Sequence, residues 1–141
     1  MLTIAMLYPH ELTLYGENGN IKALTYALEK ENIKYKLIQI EKEEKLDFSK
    51  YDFVYLGSGR ENNLQEIKQR LLPYKEEIHK YIKTDKILLA TGNAISILTF
   101  LDLYKVERYE KRKVYDVKAT TSLCKGIIKG FQNTEYLIST T

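Results

Sequence analysis

The chain has no tryptophan, one cysteine and two prolines among its 141 residues. A single thiol, Cys124, excludes an intrachain disulfide and any metal site built on paired cysteines. It also points to a reducing compartment, so the expected location is the cytoplasm. The two histidines, His10 and His79, are far apart and have no partner at ligand spacing. No metal and no cofactor are therefore expected. No apolar run reaches the roughly 20 residues that cross a bilayer as a helix, and no membrane association is expected. The apolar start, Met1 to Leu7, lacks the basic lead and cleavage site of a signal peptide and reads as a strand. Net charge is low, at +3. Lysines alternate with glutamates, as in Glu41-Lys42-Glu43-Glu44-Lys45, which describes a solvated face and not the basic stripe of a nucleic-acid binder.

What is present is an ordinary globular balance, 44% apolar and 29% charged. The apolar residues come in blocks, so a folded core is expected, and the length suits one domain over residues 1–141. Leu2–Leu7 is a short apolar run and reads as a buried strand. Residues 33–40, which alternate, and residues 51–56 and 86–90 read as further strands. From Ile21 the spacing turns helical through Leu24, Ala27 and Leu28, with Asn20 as the expected N-cap. Residues 63–83 carry a second helical pattern interrupted at Pro73, which predicts two helices meeting there. A third helical run covers Ile95 to Leu101. Beyond Asp102 the pattern alternates through Val114, Tyr115, Val117 and Ala119, and residues 127–131 form another candidate strand. Strand and helix in alternation predict an α/β fold: a parallel sheet with helices on both faces. Ligands of such sheets bind outside the carboxyl ends of the strands. Three loops fall there: residues 8–20, 57–63 and 91–94.

Gly57-Ser58-Gly59 follows a strand, and its glycines permit close approach of the backbone to a neighbour or ligand. The third glycine of a dinucleotide fingerprint is missing, and so is the Gly-Lys-Ser/Thr of a phosphate loop. Thr91-Gly92-Asn93 lies between a strand and a helix, where α/β enzymes hold a nucleophile on a sharp elbow. The apex is Gly92, which has no side chain to attack with. Thr91 is adjacent, but its hydroxyl needs a base. His10 is the one candidate and reads as an exposed loop residue. Cys124 lies off the elbow and reads as a small buried apolar residue.

Leu14-Tyr15-Gly16-Glu17-Asn18-Gly19-Asn20-Ile21 resembles the opening motif of the CobB/CobQ-like class I glutamine amidotransferases. Within that family the GatD branch, the glutaminase subunit of lipid II isoglutaminyl synthase, is the most similar. Residues 51–59 resemble its strand and triple-glycine loop. Leu88 to Ser96 stand where it carries its elbow, and Gly130-Phe131-Gln132-Asn133 resembles a later motif. The resemblance runs to about Asn133. It implies a class I amidotransferase (flavodoxin-like) fold, with Tyr15, Gly16, Asn18, Asn20, Gly57, Ser58, Gly59, Asn93 and Arg112 in ligand contact. It also implies glutamine or a related small molecule as ligand and a Mur-ligase-like synthetase as partner.

The departures bear on chemistry. Gly92 stands at the family's nucleophilic cysteine, Ser96 at its glutamine and Thr134 at a histidine. The family's catalytic histidine aligns beyond Thr141, and a truncated chain and a naturally short one read alike. The expectation is a catalytically silent relative that acts by binding. One alternative is an active glutaminase with a displaced nucleophile. Another is a flavodoxin-like small-molecule module, for which Thr13 alone represents the Ser/Thr-rich phosphate loop. The basic residues between 105 and 118 read as a soluble loop or hairpin, with Arg112 the best anchor for an acidic partner surface.

Overall fold

Strand β1, Leu2–Leu7, runs through the middle of a four-stranded sheet. In this computed structural model residues 1–140 are described. Parallel neighbours flank β1: β2 (Tyr35–Ile40) on one side and β3 (Phe53–Leu56) on the other, with β4 (Ile87–Ala90) beyond β3. The register sets Ile4 beside both Leu37 and Phe53, and Tyr55 beside Leu89. Side chains alternate across the sheet, so Ile4, Met6 and Tyr55 share one face. There they pack with Ile21, Leu24 and Leu28 of helix α1, Asn18–Lys30. Ala5, Leu7, Val54 and Leu56 point to the other face and are fully buried.

The link from β3 to β4 is α2 (Glu61–Leu71), a 3₁₀ turn at Leu72–Tyr74 and α3 (Lys75–Ile82). Pro73 sits in that turn, so the two helices meet where its missing N–H interrupts the ladder, as the sequence predicts. Leu64, Ile67, Leu71, Ile78 and Tyr81 supply the buried side of the pair. From β1 the chain steps outward to β2 through α1, and from β3 outward in the opposite direction through α2 and α3. Right-handed crossovers in opposite directions put the helices on opposite faces.

Two expectations are corrected here. Asn20 does not cap α1. The helix begins at Asn18, and Asn20 lies in its first turn. The run after β4 is not an α-helix but a 3₁₀ segment, Gly92–Leu101. In that geometry residues three apart eclipse. The buried side chains follow the period: Ala94, Ile97 and Phe100 in one row, Leu98 and Leu101 in the next. Ser96 and Thr99 reinforce it by donating their hydroxyls to the carbonyls of Asn93 and Ser96, each three residues back.

The chain divides into two compact units, the first being Met1–Leu101. The second, from Asp102 onward, is an antiparallel hairpin of β5 (Tyr104–Thr121) and β6 (Cys124–Thr140). This answers the basic stretch between 105 and 118 with the hairpin reading. Cys124 opens β6 beside the two-residue turn and is exposed, not buried as expected, because a hairpin tip has nothing to cover it.

Candidate functional site

The loops after β1, β3 and β4 converge at the carboxyl ends of the strands, next to the point where the strand order reverses about β1. Glu17 is what joins the first two. It is only 2% exposed. Its Oε1 accepts from the Ser58 N–H at 2.9 Å and its Oε2 from the Tyr15 N–H at 3.0 Å. The Leu14 N–H donates to the Ser58 carbonyl at 3.0 Å, adding a backbone link. Burial alone raises the Glu17 carboxyl pKa. The hydrogen bonds from its own N–H and those of Tyr15 and Ser58 outweigh burial and hold the pKa below the usual carboxylate value.

Asn93 joins the second loop to the third. Its Oδ1 accepts from the Gly59 N–H at 3.1 Å while its Nδ2 donates to the Gly59 carbonyl at 2.8 Å. One amide thus satisfies both main-chain groups of one glycine. The glycines of this loop are required by space. A Cβ on Gly57 would sit 2.5 Å from the Leu12 carbonyl oxygen, and one on Gly59 would sit 2.9 Å from that of Glu11.

A second bridge is made of side chains. Asn20 Nδ2 donates to the Tyr55 hydroxyl at 2.8 Å, and that hydroxyl lies 2.9 Å from Thr91 Oγ1. The Asn20 amide points from the first turn of α1 onto the end of β3. Thr91 Oγ1 is thereby paired with a phenol, not with an imidazole or carboxylate that would activate it. His10, the candidate base, is exposed and has Nε2 3.3 Å from Glu41 Oε1.

At the elbow Gly92 takes φ 56°, the left-handed region, and presents no side chain. The buried Ser58 hydroxyl lies against it and donates to the Thr91 carbonyl at 3.2 Å. Beside the apex the Thr91 N–H donates to the Leu56 carbonyl at 3.0 Å and the Ala94 N–H to the Thr91 carbonyl at 3.1 Å, so both are engaged within the fold.

Of the residues singled out from sequence, the structure brings Asn20, Gly57, Ser58, Gly59, Thr91, Gly92 and Asn93 into one cluster. Gly16 forms the turn into α1 with φ 79°. Tyr15 contributes its N–H, and its side chain is exposed; Asn18 is exposed at the start of α1. Arg112 lies on β5 in the second unit, where it donates to Asn133 Oδ1 at 2.9 Å and pairs with Glu135 at 3.2 Å. Thr134, on β6, is engaged locally with Tyr136. Two residues were not singled out. Glu17 was visible only as the acidic member of the first motif, and Tyr55 only as an aromatic in a strand. An open groove lined by Phe48, Ser49, Tyr81 and Lys86 lies at the opposite end of the sheet, beside the start of β4. Among the described residues no group of three or more His, Cys, Asp or Glu is arranged to hold a metal ion.

No family model matches the chain. It is 32% identical over 111 residues to the GatD subunit of lipid II isoglutaminyl synthase (glutamine-hydrolyzing) from Streptococcus pneumoniae, which covers 79% of this chain and 42% of that one. It is 30% identical over 153 aligned positions to the subunit of the same name from Staphylococcus aureus, covering 94% of this chain and 60% of that one. The chain thus spans about half the length of the curated relatives it matches. Among solved structures, a glutamine amidotransferase from Thermotoga maritima superposes with TM-score 0.60 at 15% identity, over 99% of this chain and 63% of that one. That likeness shows the fold.

Proposed function

We propose, from a chain that is homologous to GatD subunits and has the glutamine amidotransferase fold, that it is an amidotransferase-like subunit that does not itself hydrolyse glutamine. Residues 1–141 are read as one amidotransferase-like domain made of both units. The observation that carries the reading is Gly92 at the apex of the elbow, with the Ser58 hydroxyl against it. Covalent amide hydrolysis needs a nucleophile, a base to activate it and donors for the oxyanion. Gly92 offers no nucleophile, and the neighbouring Thr91 hydroxyl is paired with the Tyr55 phenol and not with a base. Losing the nucleophile removes most of the rate and leaves oxyanion and binding effects.

The remaining role is recognition. The first-loop residues Tyr15, Gly16, Asn18 and Asn20 and the glycine loop are read as contacts for glutamine or a related amide. The partner is read as a Mur-ligase-like synthetase, since the relatives are named as subunits of a synthase. Arg112 keeps an exposed guanidinium for an acidic surface while sharing Glu135 within the hairpin.

Purified chain incubated with glutamine, alone or with the synthetase, is expected to release no more ammonia than a heat-inactivated control. Release abolished by Cys124→Ala, or by Thr91→Val, would place a working nucleophile off the apex and overturn the reading.

A further inference from the structure

The Ser58 side chain and the absent side chain of Gly92 occupy the same space. A Cβ built on Gly92 lands on Ser58 Oγ and comes within 3.4 Å of Ser58 Cβ. Ser58 is enclosed and tethered. It is 3% exposed, its N–H is held by Glu17 Oε1 and its hydroxyl donates to the Thr91 carbonyl. The second loop runs close to the first on either side of Ser58, since a Cβ on Gly57 or Gly59 would collide with the Leu12 or Glu11 carbonyl. We propose that Ser58 and Gly92 form one steric unit in which the hydroxyl of the second loop occludes the elbow. The elbow then accepts a side chain at position 92 only when the hydroxyl at position 58 is removed. Ser58 is thus a positioning residue for the elbow. This inference rests on the reading of Gly92 as an apex without a nucleophile.

Chemistry gives the pair a second consequence. The Ser58 Oγ stands near where an elbow side chain would emerge, yet it is buried among polar partners and does not face solvent. It fills the position without supplying an accessible nucleophile. Two local features therefore act together: one removes the side chain from the apex, and the other seals the gap.

A double-mutant cycle in the Cys124→Ala background tests this. The background removes the exposed native thiol. Gly92→Cys is expected to lower the folded-to-unfolded ratio on urea unfolding by about a hundredfold, since it adds a collision to an unfavourable φ. Adding Ser58→Ala deletes the colliding atom and is expected to restore the ratio by about tenfold beyond additivity, the scale of coupling between contacting residues. The thiol introduced at position 92 should react with iodoacetamide faster in the double variant than in the single one. Gly92→Ala, with the same Cβ and no thiol, should show the same coupling if the cysteine variant folds poorly. Effects that add within about twofold, together with equal thiol reactivity in both backgrounds, would overturn the proposal. Ammonia release by the parent protein would instead overturn the silent reading and leave the cycle intact, so the two failures are told apart.

Discussion

Gly57→Ala is expected to destabilise the first unit by about 4 kcal/mol or more, among the largest losses a single methyl can cause. The added carbon would stand 2.5 Å from the Leu12 carbonyl oxygen and would also collide with the Glu17 side chain. The first obstacle is backbone, and the second is a carboxylate fixed at both oxygens. A stability of about 5–15 kcal/mol for a whole domain leaves little to absorb such a loss. The measurement is the urea midpoint followed by far-ultraviolet circular dichroism. A shift equivalent to less than about 1 kcal/mol would mean that the first and second loops are not packed as described.

Glu17→Ala is expected to cost about 3 kcal/mol, because the Ser58 and Tyr15 N–H groups both lose a charged acceptor. The loss should be pH-dependent, with a defined sign. The folded-state pKa of Glu17 lies below the ordinary value of 4.5. The carboxylate's contribution is therefore fully present above the unfolded-state value and is lost as pH falls through the folded-state one. The gap in stability between parent and Glu17→Gln should hold steady from about pH 7 to pH 5 and shrink below about pH 4.5. A gap that widens on acidification would contradict the carboxylate's place in the cluster.

The sheet was legible because its strands are short apolar blocks set off by polar punctuation. β1 is bounded by Tyr8-Pro9, and β3 ends on Gly57-Ser58-Gly59. Pro73 announced the break between α2 and α3 for the same local reason, a missing donor. The 3₁₀ character of Gly92–Leu101 was less visible, because its apolar residues fill both a three-residue and a 3.6-residue period. Asn20 misled as an N-cap. Its residue type suits a cap, but its amide is used across the fold, on Tyr55.

The site divides in the same way. The three loops could be assigned to one end of the sheet because every parallel strand delivers its following loop there. Gly92 could be placed at the apex by its position between strand and helix. What the sequence concealed was pairwise. The two-way bond of Asn93 with Gly59, the bond from the Ser58 N–H to Glu17 and the Ser58 hydroxyl over Gly92 each join residues more than thirty positions apart. Single-residue propensity carries no information about such partners. Cys124 shows the converse: free cysteines are commonly buried, but a two-residue hairpin turn places this one in solvent.

The central claim is that the elbow holds no nucleophile, and covalent capture tests it most directly. A diazoketone analogue of glutamine alkylates a nucleophile that attacks the bound amide position. Intact mass spectrometry then reports the adduct without relying on turnover. The Cys124→Ala protein, incubated with the analogue beside an amidotransferase that has an elbow cysteine, should keep its unmodified mass while the control gains one adduct. A stoichiometric adduct on this chain that excess glutamine suppresses, mapped to Thr91 or Ser58, would contradict the account.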